Sequence, residues 1–153
     1  MKNRIILFLA TLGGIGYLPK APGTYGSLVG LVLPIMLAER FSLSTYSMGL
    51  SVGVVLSVVC CHVAEKLLGE KDPSAVILDE CIAMPFCFLG LQPFGPPGVF
   101  WLLGFALFRC FDILKPLGIK RLQSLPGGLG IVVDDLAAAL CVHCILRAIC
   151  LVC

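Results

Sequence analysis

Nineteen consecutive residues, Tyr46 to Ala64, contain no Asp, Glu, Lys or Arg. As a helix such a stretch rises about 28 Å, close to the hydrocarbon thickness of a bilayer. It calls for lipid around it, or for a core larger than 153 residues ordinarily build. The rest of the chain decides between the two. Charged residues make up 13%, hydrophobic residues 59%, and mean hydropathy is +1.04. A soluble domain carries about 25% charge, so this chain cannot cover a water-exposed surface, and a membrane bilayer is its expected surrounding. A net charge of +2, scattered along the sequence, gives no argument for nucleic acid, and no nucleic-acid partner is expected.

Four further apolar segments follow the same logic. They are Ser27 to Leu37, Ala75 to Leu91, Val99 to Leu114, and about Leu129 to Cys153. Gln92 to Gly98 reads Q-P-F-G-P-P-G and is a turn, while Lys115-Pro116 opens a break that runs to Pro126-Gly127-Gly128. Strand-type alternation is absent, so the expected fold class is all-α. The expectation is a single domain, residues 1–153, built as a bundle of membrane-embedded helices with glycine-bearing loops at the cytoplasmic helix ends. Lys2, Arg4 and the apolar run Ile5 to Ala10 imitate a signal peptide without a convincing cleavage site, and are read as retained with the basic end cytoplasmic. The nine cysteines all lie among apolar neighbours and read as small hydrophobes in a reducing setting. Cys141-Val-His143-Cys144 lacks the second pair that a zinc site needs. His62 and His143 have no nucleophile pattern nearby and read as structural.

Against this background the acids stand out. Of nine, five sit in or against apolar runs: Asp79 and Glu80, Asp112, and Asp134 and Asp135. A carboxylate in a low-dielectric setting costs several kcal/mol unless it is paired or metal-bound. Lysine and arginine favour cytoplasmic loops. Lys66 and Lys71 mark one connection and Lys115, Lys120 and Arg121 another, while the Gln92 to Gly98 turn has none. With both basic connections inside, segments 75–91 and 99–114 form a hairpin. All three acidic clusters and the start of the Ser27 helix then meet at one interface.

Carboxylates from three helices suit a hard cation such as Mg²⁺, which completes its shell with water and phosphate. Asp79 and Glu80 are neighbours and on a helix point about 100° apart, so one is expected to ligate while the other orients a partner. The same holds for Asp134 and Asp135. A plainer reading makes these acids interfacial charges favoured by helix N-termini. Arg109, Asp112 and Lys115 are spaced i,i+3, as a salt-bridge ladder or as a phosphate clamp with Arg109 as the fork. Pro22-Gly23-Thr24-Tyr25-Gly26-Ser27 and Gly127-Gly128-Leu129-Gly130 read as loops before helices. There backbone N–H groups of Gly23 and the hydroxyls of Thr24 or Ser27 could meet an anion.

Four ordered blocks carry a resemblance. They read L-P-K-A-P-G-T-Y-G-S (Leu18 to Ser27), D-P-S-A-V-I-L-D-E (Asp72 to Glu80), F-R-C-F-D-I-L-K-P (Phe108 to Pro116) and G-G-L-G-I-V-V-D-D (Gly127 to Asp135). Together they resemble the phosphatidylglycerophosphatase A family of bacterial lipid phosphatases. Three packing or turn positions depart from the family's habit: Ala83, Gly118 and Ala139. The resemblance implies Mg²⁺-dependent hydrolysis of the phospholipid phosphatidylglycerophosphate to phosphatidylglycerol and phosphate, in phospholipid biosynthesis, by a multi-pass protein of the bacterial inner membrane. On that reading Asp79, Glu80, Asp134 and Asp135 hold the metal. Asp79, Glu80, Asp112 and Asp135 are the catalytic acids, and Gly23, Thr24, Ser27, Arg109 and Lys115 bind substrate phosphate. Water activated by a carboxylate and direct carboxylate attack both remain open. The rival from another class is an ion- or proton-conducting helical bundle, which calls for acids near mid-helix.

Overall fold

A computed structural model describes residues 2–93 and 95–152; Phe94 of the turn and Cys153 lie outside the described residues. The helices are α1 (Lys2–Ala10), α2 (Pro22–Leu37), α3 (Leu43–Leu68), α4 (Leu78–Ala83), α5 (Pro97–Leu114) and α6 (Gly128–Val152). Tighter 3₁₀ turns occupy Ile15–Tyr17, Met84–Phe88 and Ile119–Ser124. The all-α expectation holds, with no strand among the described residues.

Among the described residues only α3 and α6, of 26 and 25 residues, are long and apolar enough to cross a membrane. The ends of α3 are set locally. Ser42 Oγ accepts the N–H of Thr45, and Gly69 closes the helix at φ 70°. Its outer face offers Val52, Val55, Leu56 and Val59, each more than half exposed, where a soluble helix would carry charge.

Three segments depart from the expected elements, and in one of them, Gly127 to Gly130, the expected loop is already the first turn of α6 from Gly128 on. Ala75 to Leu91 is not one helix of a hairpin. The Ile77 N–H is taken by the Ala10 carbonyl at 3.0 Å, so α4 starts only at Leu78. Pro85 then lacks the N–H that would continue the ladder onto Cys81, and the chain tightens into the 3₁₀ turn Met84–Phe88. The Pro22 to Ser27 stretch is not a loop either. It forms the first turns of α2, with Pro22 at the start, where its missing N–H costs nothing. Its glycines serve proximity. A Cβ on Gly26 would lie 2.7 Å from the Ile77 carbonyl oxygen, and one on Gly30 would collide with the Cys81 carbonyl. Spaced i,i+4, the two glycines make one face that lets α2 lie backbone to backbone on α4.

Two apolar clusters hold the bundle. In the larger, Phe88 meets Trp101 edge-on at 4.6 Å and Phe100 at 5.3 Å. Phe108 of α5 packs there too, against Ala138, Ala139, Val142 and Leu146 of α6. Ala139 has no exposed surface, so its methyl is accommodated in the α6 packing. The smaller cluster joins Ala10, Cys61, Ala64, Val76, Ile131 and Val132. The eight described cysteines are free thiols, and Cys61 and Cys87 are wholly buried in these clusters as small hydrophobes.

Candidate active site

One end of the bundle holds a cavity of about 280 Å³ in which all four sequence blocks meet. Pro22 and Gly23 come from α2, Asp79 and Glu80 from α4, Arg109 and Asp112 from α5, and Asp134 and Asp135 from α6. Lys115 enters from the residue that ends α5. It adopts φ 43°, a left-handed turn that coincides with its ammonium standing between two acids. Asp72 and Ser74, on the connection into α4, complete the polar wall.

Asp79, Glu80 and Asp135 each offer an oxygen, and these atoms lie within 4.8 Å of one another. The neighbours Asp79 and Glu80 therefore do converge, contrary to the expectation from a regular helix. Both stand in the first turn of α4, which is wedged between α2, α3 and α6. The longer Glu80 side chain runs along α2, where Gly23 leaves it room: a Cβ on Gly23 would collide with Glu80 Oε1. The role of Gly23 thus includes making space for a carboxylate. Asp79 and Asp135 are 4% and 3% exposed.

The helix α4 is far too short to span, and its acids respond to burial directly. Burial pushes Asp79 well above the ordinary carboxylate range, and the charge of Glu80 adds to it. Burial likewise lifts Glu80 to about 7, although its bond with Asp79 and the Arg109 charge pull the other way.

A second chain of polar groups runs beside the three acids. Arg109 Nη1 donates to Asp112 Oδ2 at 2.6 Å and to Ser27 Oγ at 3.3 Å, and Ser27 Oγ donates to the Gly23 carbonyl at 2.9 Å. Lys115 lies 3.8 Å from Asp112 Oδ1 and donates a short bond to Asp134 Oδ2. Burial lowers the Lys115 pKa, but the bond to Asp134 and the surrounding acids outweigh it and hold the ammonium charged. The i,i+3 ladder of Arg109, Asp112 and Lys115 is present, and Asp134 extends it to α6.

Each anticipated residue now has a place. Asp79, Glu80 and Asp135 form the group able to hold a cation, whereas Asp134 faces Lys115 instead. Ser27 supports Arg109 rather than lining the cavity, and Thr24 does not line it; its N–H closes the first turn onto the Ala21 carbonyl. Asp72 was not singled out as a site residue. The one cue for it was its place in the D-P-S-A block, before an apolar run.

Five buried polar atoms here have no partner: Asp79 Oδ1, Glu80 Oε2, Asp134 Oδ1, Asp135 Oδ2 and Arg109 Nε. Buried polar groups are generally satisfied; outside the cavity only Tyr46 Oη and His143 Nδ1 share this state among the described residues, so the five gathered here are capacity that a ligand could meet.

The phosphatidylglycerophosphatase A family model matches residues 8–150, nearly the whole chain. The chain belongs to the phosphatidylglycerophosphatase A family. It is 33% identical over 137 residues to phosphatidylglycerophosphatase A of Haemophilus influenzae, covering 88% of this chain and 82% of that one. It is 33% identical over 135 residues to phosphatidylglycerophosphatase A of Escherichia coli K12, covering 85% and 74%. A Bacteroides thetaiotaomicron protein provisionally named as a phosphatidylinositol-3-phosphatase is 32% identical over 136 residues, covering 86% and 85%. No solved structure matches. Membership makes this helical protein a lipid phosphatase.

Proposed function

We propose that this protein hydrolyses phosphatidylglycerophosphate to phosphatidylglycerol and phosphate, using Mg²⁺, at the cytoplasmic face of a bacterial membrane, as a step in phospholipid biosynthesis. The observation that carries this reading is the composition of the cavity. Six carboxylates face only Arg109 and Lys115, a formal excess of four negative charges. A phosphomonoester dianion cannot enter such a field unaided. Three of the acids have oxygens close enough together to share one ion, and each has an oxygen without a protein partner. An all-oxygen set suits Mg²⁺ rather than zinc.

Asp79, Glu80 and Asp135 are the residues to hold that ion. When bound it supplies positive charge to the phosphoryl oxygens and acidifies water. Arg109 keeps Nε and the outer side of its fork free for phosphate, because Ser27 and Asp112 both engage Nη1. Lys115 balances charge on the same group. Asp112 sets the position of both cations. The remaining carboxylate with an open oxygen is Asp134, through Oδ1, and it accepts the proton of the attacking water. Water attack is preferred to carboxylate attack here because Asp79, Glu80 and Asp135 are committed to the ion and Asp112 to Arg109 and Lys115, while Asp72 accepts from Gln123.

The orientation follows from charge. Lys20, Lys66, Lys71, Lys115, Lys120 and Arg121 all lie on segments at or next to the cavity end, whereas Arg40 and Arg147 lie toward the opposite ends of α2 and α6. The test is release of inorganic phosphate from phosphatidylglycerophosphate by the purified protein. Activity should vanish with EDTA and return with Mg²⁺. Undiminished release after exhaustive chelation overturns the metal, and no release under any condition overturns the substrate.

A further inference from the structure

The glycines of the G-G-L-G block are contact points, as those of α2 are. Gly128, the first residue of α6, lies on α3. A Cβ there would collide with the Val58 carbonyl oxygen and stand 2.6 Å from the His62 nitrogen. Those two atoms are spaced i,i+4, as helical bonding partners are, so the start of α6 rests on the α3 backbone itself. Gly127 turns the chain into the helix at φ 57°, and a Cβ there would collide with His62 Nδ1, so the half-buried imidazole lies across the turn. On another side, a Cβ on Gly130 would stand 2.6 Å from the Leu125 carbonyl oxygen, at the end of the 3₁₀ turn Ile119–Ser124. The first turn of α6 is thus held between two backbones.

Seven residues separate Gly128 from Asp135, which is two turns of helix. Both therefore stand on one face of α6, about 10.5 Å apart along its axis. Asp135 brings an oxygen within 4.8 Å of oxygens of Asp79 and Glu80. Those two are fixed separately, by the bond from Ile77 to the Ala10 carbonyl and by the contacts of α4 with Gly26 and Gly30. The place of the third acid depends on where α6 is seated. We infer that Gly128 and His62 are positioning residues: the seat they make on α3 sets the depth at which Asp135 meets Asp79 and Glu80. His62 acts here by the shape of its ring and takes no part in the chemistry. The inference rests on the reading above that these three acids hold a divalent cation.

The experiment melts purified wild type and variants across a Mg²⁺ titration. It reads the concentration that gives half of the full rise in Tm, beside phosphate release. Gly128→Ala should raise that concentration about ten-fold, the order seen when support behind a metal ligand is removed. His62→Ala should move it in the same direction, and His62→Phe, which keeps a ring, should restore the wild-type value. Leu146→Ala is the control. It opens a cavity on the same helix, three turns beyond Asp135, and should lower Tm without moving the Mg²⁺ midpoint. A lower Tm with an unmoved midpoint in Gly128→Ala overturns the inference and leaves the seat a packing contact alone. If Gly128→Ala does not fold, a wild-type midpoint in His62→Ala overturns it. So does an equal shift in Leu146→Ala, or a His62→Phe that behaves as His62→Ala. If Mg²⁺ does not raise the Tm of wild type, the metal reading fails and takes the inference with it, while phosphate release still reports on the phosphatase reading.

Discussion

Arg109 is held by two side chains on one nitrogen, so the direction of its fork is set before any substrate arrives. Lysine in its place keeps the charge and loses the planar fork. Arg109→Lys should therefore fold normally and lose at least about a hundred-fold in kcat/KM, the order expected for removing one charge-stabilising donor. Near-normal turnover would reduce Arg109 to a rung of a salt-bridge ladder. The neighbours Asp134 and Asp135 should separate in a different way. Asp135→Asn removes a member of the cation-holding group and should raise the Mg²⁺ concentration needed for half-maximal rate. Asp134→Asn should lower kcat and leave that concentration unchanged; identical Mg²⁺ curves for both variants would refute the division. The pH dependence follows from burial. Glu80 titrates near 7 in the native chain but near its ordinary 4.5 when unfolded. Between those values the native protein without metal binds the extra proton, so its stability falls as pH rises through the window. A divalent cation takes that proton's place. Mg²⁺ should then raise Tm more at about pH 8 than at about pH 5.5, and an equal shift at both would show that these acids hold no ion.

At the scale of elements, α2 and α4 decide whether the residues above meet. Their backbones touch through Gly26 and Gly30, so Gly30→Leu should separate them, costing about 1–3 kcal/mol or more by overpacking and most of the activity. Gly49 of α3 is the control, because a Cβ there meets nothing within 4 Å. Gly49→Ala should hold or raise Tm, by up to about 1 kcal/mol of helix propensity. These same elements mark where the sequence was legible. Uncharged length identified α3, and misplaced acids marked the site. The bias of lysine and arginine brought the acids to one end. What could not be read was the use of glycine. Pro22 to Ser27 has the composition of a loop, and only the presence of α4 beside it shows that Gly26 and Gly30 are contact points within a helix. Nor does helical geometry bring Asp79 and Glu80 together. That convergence needs Asp135 from α6 on one side and the space at Gly23 on the other. Asp72 was missed for a similar reason, since its partner Gln123 lies 51 positions away.

The whole molecule should be asymmetric across the membrane. In spheroplasts, with the native cysteines replaced by serine or alanine, Lys120→Cys should react with an impermeant maleimide only after permeabilisation, and Ser42→Cys should react at once. The reverse pattern would place the site outside. The cavity is also the last feature the chain can complete. Asp79 and Glu80 emerge from the ribosome more than fifty residues before Asp135, which arrives on the final helix. Until α6 inserts, the first two acids sit beside one another without the third side of their shared site. If α6 spans the bilayer as its length allows, it carries two carboxylates with it, and Lys115, bonded to Asp134, is there to receive one of them. On the proposed reading, biogenesis and catalysis draw on the same atoms: a chain halted before its last helix would lack the third carboxylate of the shared site, and with it the place proposed for the ion.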